Sequence, residues 1–259
     1  MKQAMAILLS AIVVVPFLVA SAQTVEQLGG ACISGDVDKV KRLIEAGVDV
    51  NQRLRGVTNE PPLFFACLSD VGTPADRVEI LKALIDAGAS INDTFKAGLN
   101  CLHVAASSGH TAVIEFLVAN GVDVNARATS GVPGVTPLHL AVSKGFTEFA
   151  EALIENGADL NAEDDSRGYA PLHLAIRNRH KEMAELLIAK GADVNPKDFN
   201  GETPLDMAVS KRDRELVDLL RKHGGITEKD HGGLWKHHSR KRYATSAAVD
   251  GVVGDSQGD

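Results

Sequence analysis

The chain has 259 residues, of which 44% are apolar and 24% charged, a balance that excludes disorder throughout. Aromatics make up only 4%, with one Trp and two Tyr, so a core must be built from Leu, Ile, Val and Ala in close-packed helices rather than from aromatic strands. Acidic residues outnumber basic ones 34 to 27, and the net charge of −7 excludes a general nucleic-acid binder. Three cysteines are too few, and too odd in number, for a disulfide framework.

Residues 1–22 read as a secretory signal. Lys2 is the positive n-region, Ala6 to Ala20 an apolar stretch broken by Pro16, and Ala20-Ser21-Ala22 a small-x-small cleavage site, with cleavage expected before Gln23. The rival reading is an uncleaved anchor, but the run is shorter than the ~20 residues of a spanning helix and no basic stop-transfer cluster follows. Losing Lys2 leaves 26 basic and 34 acidic residues, so the mature charge is −8. With no second apolar stretch of that length, no integral membrane segment is expected after cleavage. The Ala-rich apolar stretch and the single glycosylation triplet, Asn92-Asp93-Thr94, point to a bacterial periplasm.

From residue 25 the chain repeats. Gly-apolar-x-apolar-Asn recurs at Gly47 to Asn51, Gly88 to Asn92, Gly121 to Asn125, Gly157 to Asn161 and Gly191 to Asn195. A second mark recurs in phase with it: Pro62-Leu63-Phe64-Phe65-Ala66, Cys101-Leu102-His103-Val104-Ala105, Pro137-Leu138-His139-Leu140-Ala141, Pro171-Leu172-His173-Leu174-Ala175 and Pro204-Leu205-Asp206-Met207-Ala208. Leu to the next Gly is 19 residues for Leu28, Leu102, Leu138, Leu172 and Leu205, so six units fill residues 25 to about 228. Pro suits a first helical turn, where no amide partner is needed, and Thr136 and Thr203 can cap the exposed N–H groups. Apolar residues seven, four and three places before each Gly form one helical face, and the Gly can take the left-handed conformation that ends the helix. Gly29-Gly30 weakens the first unit by about 1 kcal/mol per Gly, and Arg221 and Lys222 make the last a polar cap.

Thr136-Pro137-Leu138-His139-Leu140-Ala141 matches the Thr-Pro-Leu-His-x-Ala signature of the ankyrin-repeat family, which the chain resembles over about four fifths of its length. The resemblance implies an all-α fold, a solenoid of six helix-turn-helix units joined by β-turn fingers, spanning residues 23–228 with 229–259 as a tail. It also implies binding of a protein partner through the fingers and the concave helix face.

What does not recur is where a particular partner would be read. The second unit is stretched, with Leu63 to Gly88 spanning 25 residues, and the extra six are expected to lengthen the turn near residues 69–75. Asn to Leu across the five fingers is 12, 10, 13, 11 and 10 residues. Exposed aromatics and Arg are the types that anchor interfaces. The candidate partner-binding residues are therefore Arg53 and Arg55 in the first finger, Phe95 and Lys96 in the second, Glu163, Asp164, Asp165 and Tyr169 in the fourth, and Phe199 in the fifth.

Chemistry is not expected. His103, His139 and His173 share one repeat position and would lie a repeat apart, too far to share a metal whose ligands must sit within ~2.1 Å of it, so they read as hydrogen-bonding residues. Cys32 and Cys67, also at equivalent positions, read as buried small hydrophobes. Cys101 with His103 lacks an orienting acid, and no phosphate loop, nucleophile elbow or zinc-protease motif occurs, so no catalytic residue, cofactor or metal is expected. The tail holds the sole Trp, Trp235, beside basic residues from Lys236 to Arg242, which would suit a membrane-surface tether. The expected molecule is a monomeric periplasmic binding module that inhibits or supports an envelope enzyme, its negative charge favouring a basic target.

Overall fold

The computed structural model describes residues 24–54 and 59–231, which hold twelve α-helices and no strand. The helices come in pairs: α1 (24–34) with α2 (Val37–Glu45), α3 (Pro62–Leu68) with α4 (Pro74–Asp86), α5 (Cys101–Ser108) with α6 (Ile114–Ala119), α7 (Pro137–Lys144) with α8 (Thr147–Glu155), α9 (Pro171–Arg177) with α10 (Lys181–Ala189), and α11 (Pro204–Ser210) with α12 (Arg214–Lys222). These are the six expected helix-turn-helix units. They cluster into two compact bodies, one made of residues 24–127 with Thr136–Asp159, the other of Ala128–Val135 with residues 160–231. The first carries four helix pairs and the second two. Residues 1–22, read above as a signal, Arg55 and the tail from residue 232, with Trp235, lie outside the described residues. No described helix is long and apolar enough to cross a membrane.

Each first helix starts as its sequence dictates. Thr203 Oγ1 accepts from Asp206 N at 3.2 Å while Asp206 Oδ2 accepts from Thr203 N at 3.1 Å, a reciprocal cap with Pro204 in the first turn. In the third unit, where Cys101 replaces Pro, Asn100 takes the role of Thr and its Oδ1 accepts from His103 N at 3.0 Å. The signature leucines Leu28, Leu63, Leu102, Leu138, Leu172 and Leu205 are all buried. In the second helices of the inner units, the positions seven and four before the Gly are buried and the one three before is half-buried, so the expected face is real and its edge runs through that last position. Arg221 and Lys222 are exposed, as a cap requires.

Two features differ from expectation. The six extra residues of the second unit do not go into a turn alone, because α4 has 13 residues against nine in α2, α8, α10 and α12, and the turn covers the remaining residues from Ser69 to Thr73. Pro74 and the Thr73–Asp76 capping box explain this, since together they start the helix early. Gly29 is not merely a poor helix former either, because a methyl of Leu54 occupies the space that its Cβ would need.

A further repeat position emerges seven residues after five of the six signature leucines, at the turn between paired helices. Gly35, Gly109, Gly145, Arg179 and Arg212 all stand there with φ of 69, 75, 77, 59 and 54°. Two units thus hold an arginine in a left-handed conformation that three others give to glycine.

Candidate interaction surface

Every finger is closed by one backbone hydrogen bond. Leu54 N donates to Glu60 O (3.0 Å), Phe95 N to Leu99 O (2.8 Å), Ala128 N to Val135 O (2.9 Å), Asp164 N to Tyr169 O (3.0 Å) and Asp198 N to Glu202 O (3.0 Å). The bonded residues are 6, 4, 7, 5 and 4 apart, and subtracting these from the Asn-to-Leu spacings of 12, 10, 13, 11 and 10 leaves six in every case. All variation in finger length is therefore held within the closing bond, at the tip. The base is constant because it must meet the same helix start in each unit.

In the first compact body, the first two fingers are tied by a residue that sequence reasoning missed. Glu60 is buried; its Oε2 accepts from Arg53 Nη1 at 3.1 Å and its Oε1 from the backbone N of Lys96 at 2.9 Å. Arg53 Nη2 also donates to Thr94 O at 3.5 Å. Its guanidinium thus neutralises an otherwise unpaired buried carboxylate. Phe95 requires a correction: it is only 4% exposed, packed edge-on against Phe64 with ring centroids 5.2 Å apart, because an aromatic at a short finger's base gains more from the core than from water. Lys96 is exposed.

In the second compact body, the finger tips are joined edge to edge. Asp165 N donates to Pro133 O at 2.9 Å and Phe199 N to Arg167 O at 2.8 Å. Asp164 also requires correction, being 4% exposed: Oδ1 accepts from Ser166 N (2.9 Å), Ser166 Oγ (2.9 Å) and Arg167 N (2.6 Å), so the carboxylate folds its own finger. Asp198 does the same in the next finger, accepting from Asn200 N and Glu202 N at 2.8 Å each. An Asp followed by Gly three or four residues on, as in Asp198 to Gly201 and Asp164 to Gly168, is the signal that marks both. Glu163 and Asp165 are exposed.

The most developed surface lies around Tyr169. Its ring is half-buried and stacks on His173 with centroids 5.5 Å apart and planes at 22°. The guanidinium carbons of Arg167 and Arg177 lie 5.7 and 5.8 Å from the same ring centroid. Phe199, 45% exposed, lies against Gly168, where a Cβ would come within 2.5 Å of its ring. Arg177 is on α9, outside any finger, and nothing in its sequence position singles it out.

The histidines serve the scaffold. His139 Nδ1 accepts from Thr136 N at 3.2 Å, and His173 Nδ1 accepts from Ala170 N at 3.2 Å while its Nε2–H donates to Glu202 O at 3.2 Å. Burial holds the His173 ring below the ordinary imidazole range, which suits a neutral ring that accepts at one nitrogen and donates at the other. Asp206 fills the same place with Oδ2 accepting from Thr203 N and Glu228 N. Cys32, Cys67 and Cys101 are buried; burial pushes the Cys32 thiol up to about 12. A side-chain hydrogen bond to Cys101, then burial, raises Cys67. Raised thiols are poor nucleophiles. That Cys67 meets Cys101 was not visible in the sequence, because Cys101 stands in a proline's place.

A family model described as ankyrin repeats, in three copies, matches residues 28–128, 72–164 and 138–230. Among curated proteins, alpha-latrocrustotoxin-Lt1a of Latrodectus tredecimguttatus is 33% identical over 101 residues, covering 39% of this chain and 6% of that protein. Alpha-latroinsectotoxin-Lt1a of the same species is 33% identical over 98 residues, 38% of this chain and 6% of that protein. The chain therefore spans 6% of the length of these relatives, and the likeness is one of repeats.

Proposed function

Because the chain belongs to the ankyrin-repeat family, we propose that it is a protein-binding module acting in a bacterial periplasm, where it holds an envelope enzyme and regulates it by occupying its surface. The observation that carries this reading is the group of Tyr169, Arg167, Arg177 and Phe199, large side chains held in place by stacking and by tip-to-tip hydrogen bonds. Such aromatic and Arg side chains lose little freedom on binding and give an interface its anchors. Inhibition is the preferred direction, since the joined tips of the third, fourth and fifth fingers suit closing the mouth of an active site. The apolar reading of the cysteines and the scaffold role of the histidines favour binding without chemistry by this chain.

The test is affinity capture from a bacterial envelope fraction with residues 23–259 as bait, beside a Tyr169→Ser/Phe199→Ser double variant whose helicity matches the parent. Phe95 is left intact, since changing a buried ring would test folding. One envelope protein enriched by the parent and lost by the variant, with its activity altered on adding the parent, supports the proposal. Equal capture by both baits would sink it.

A further inference from the structure

The two guanidiniums beside Tyr169 have no anion. Arg167, in the fourth finger, and Arg177, the last residue of α9, are both exposed, and neither side chain forms a hydrogen bond or an ion pair with the described residues. What each meets is the Tyr169 ring, which is itself held by stacking on His173. Two cations thus converge on one fixed aromatic ring. Its attraction offsets their mutual repulsion and leaves the N–H donors of both open to a third group.

Both cations are anchored at the backbone. Arg167 N donates to Asp164 Oδ1 at 2.6 Å and Arg167 O accepts from Phe199 N at 2.8 Å, while Arg177 ends a helix next to the buried Ile176. The carboxylates nearby are engaged by their own loops. Asp164, Asp193 and Asp198 act on His173 through space. Asp164 Oδ1 holds the amides of Ser166 and Arg167, Asp193 Oδ1 accepts from Asn195 N at 2.9 Å, and Asp198 Oδ1 accepts from Asn200 N and Glu202 N at 2.8 Å each. They temper the field of the two arginines but take no side-chain N–H from either. A guanidinium presents its donors in a planar fork that matches a carboxylate, and this pair is positioned in advance, so little ordering is needed when an acid arrives.

We propose that Arg167 and Arg177 form a carboxylate clamp beside Tyr169, which takes one Asp or Glu side chain of the protein partner. The inference rests on the protein-binding reading above and deepens it, since it names the side chain that the anchor group selects. The net charge of −7 draws a basic partner from a distance, but that field is screened within about 8–10 Å, and at contact the two cations decide which group is held.

Titration of residues 23–259 tests it. The probes are acetyl-Gly-Leu-Glu-Leu-Gly-amide, its Glu→Gln and Glu→Lys counterparts and sodium acetate, followed at the backbone amide resonances of Gly168 and Phe199. The Glu peptide should bind roughly tenfold more tightly than the Gln peptide, the Lys peptide or acetate. In Arg167→Gln/Arg177→Gln the advantage of Glu over Gln should vanish, and in Arg167→Glu/Arg177→Glu the Lys peptide should become the tightest of the three. Both positions are exposed, so the variants are expected to keep the parent's helicity, and the parent with the Glu and Gln peptides is decisive without them. Equal affinity of the parent for those two peptides, including none for either, would overturn the proposal. So would acetate bound as tightly as the Glu peptide, or a Glu preference that survives Arg167→Gln/Arg177→Gln. The finger reading fails separately, in envelope capture: a partner lost by Tyr169→Ser/Phe199→Ser yet fully kept by Arg167→Gln/Arg177→Gln would leave the binding module standing and remove the clamp.

Discussion

Asn125 reaches the next repeat with both ends of its amide: Nδ2 donates to Gly157 O at 3.0 Å, and Oδ1 accepts from Asp159 N at 2.8 Å. Asn51 does the same to Gly88 O and Ser90 N, and Asn195 to Gly224 O and Ile226 N. The side chain imitates a strand's backbone, which is why the residue that ends each Gly-apolar-x-apolar-Asn mark is an amide. Replacing Asn125 with Ala removes two hydrogen bonds at an exposed seam and should destabilise the protein by about 1–2 kcal/mol. Urea unfolding at fixed pH measures it, and Asn125→Asp, which keeps the acceptor and loses the donor, should fall between the parent and Ala.

The glycines that close second helices and those in fingers are glycine for different reasons. Gly121 has φ of 84° and nothing within 4 Å of where a Cβ would stand, so its demand is conformational. Gly168 adds the Phe199 ring at 2.5 Å to a φ of 72°. Gly121→Asn should therefore cost only a few tenths of a kcal/mol, because Asn tolerates the left-handed region. Gly168→Asn should displace Phe199 and weaken partner capture while leaving the helices intact. Comparing Tm with capture for the two variants separates the effects, and equal behaviour would contradict the distinction.

Arg212 sits at φ 54° in a place that three sibling units give to glycine. Left-handed backbone costs a residue with a Cβ about 1 kcal/mol, and Asn relieves part of that without the extra unfolded-state freedom of Gly. Arg212→Asn is expected to stabilise the chain by roughly 0.5 kcal/mol. A fall in the urea midpoint would show that its guanidinium has a stabilising role that outweighs the strain.

Acid should loosen the fold through His173. Burial lowers its folded pKa, so the unfolded chain takes up a proton that the folded one refuses. The contribution is complete above about pH 6.5, the unfolded value, and is lost as pH falls from there towards the lowered folded value. Protonation also ends the acceptance by Nδ1 of the Ala170 N–H. Urea midpoints at pH 7.5 and 5.5 should drop more for the parent than for His173→Gln. An equal drop would assign the acid sensitivity to other groups, His110 among them, whose ring is lowered in the same direction by burial and by Arg77.

Legibility follows from how local each interaction is. The Pro and Thr starts, the Gly stops and the helical faces are written in residues a few places apart, the period follows from their recurrence, and the structure returns them with the signature leucines buried. The accessibility of the candidate residues was only partly legible. Phe199 is 45% exposed and Tyr169 half-buried, but Phe95 and Asp164, equally plausible by type, turn inward, one to pack on Phe64 and the other to bind the amides of Ser166 and Arg167. Residue type cannot tell these apart, because an aromatic or a carboxylate in a loop has two good destinations and its place in the tip matters: Phe95 closes its finger, whereas Phe199 stands one residue past the closing Asp198 in a finger of the same length.

By itself, then, the sequence determined the repeat, its register and the class of fold, since those rest on helical periodicity and on backbone conformations that few residues adopt. Only the tertiary structure decided that Glu60 ties two fingers together, that Arg177 shares the Tyr169 ring with Arg167, and that Arg77 is buried with no acceptor for its Nε among the described residues. Each of those depends on groups brought together from separate parts of the chain, and the energy of a charge is set by what surrounds it rather than by what precedes it.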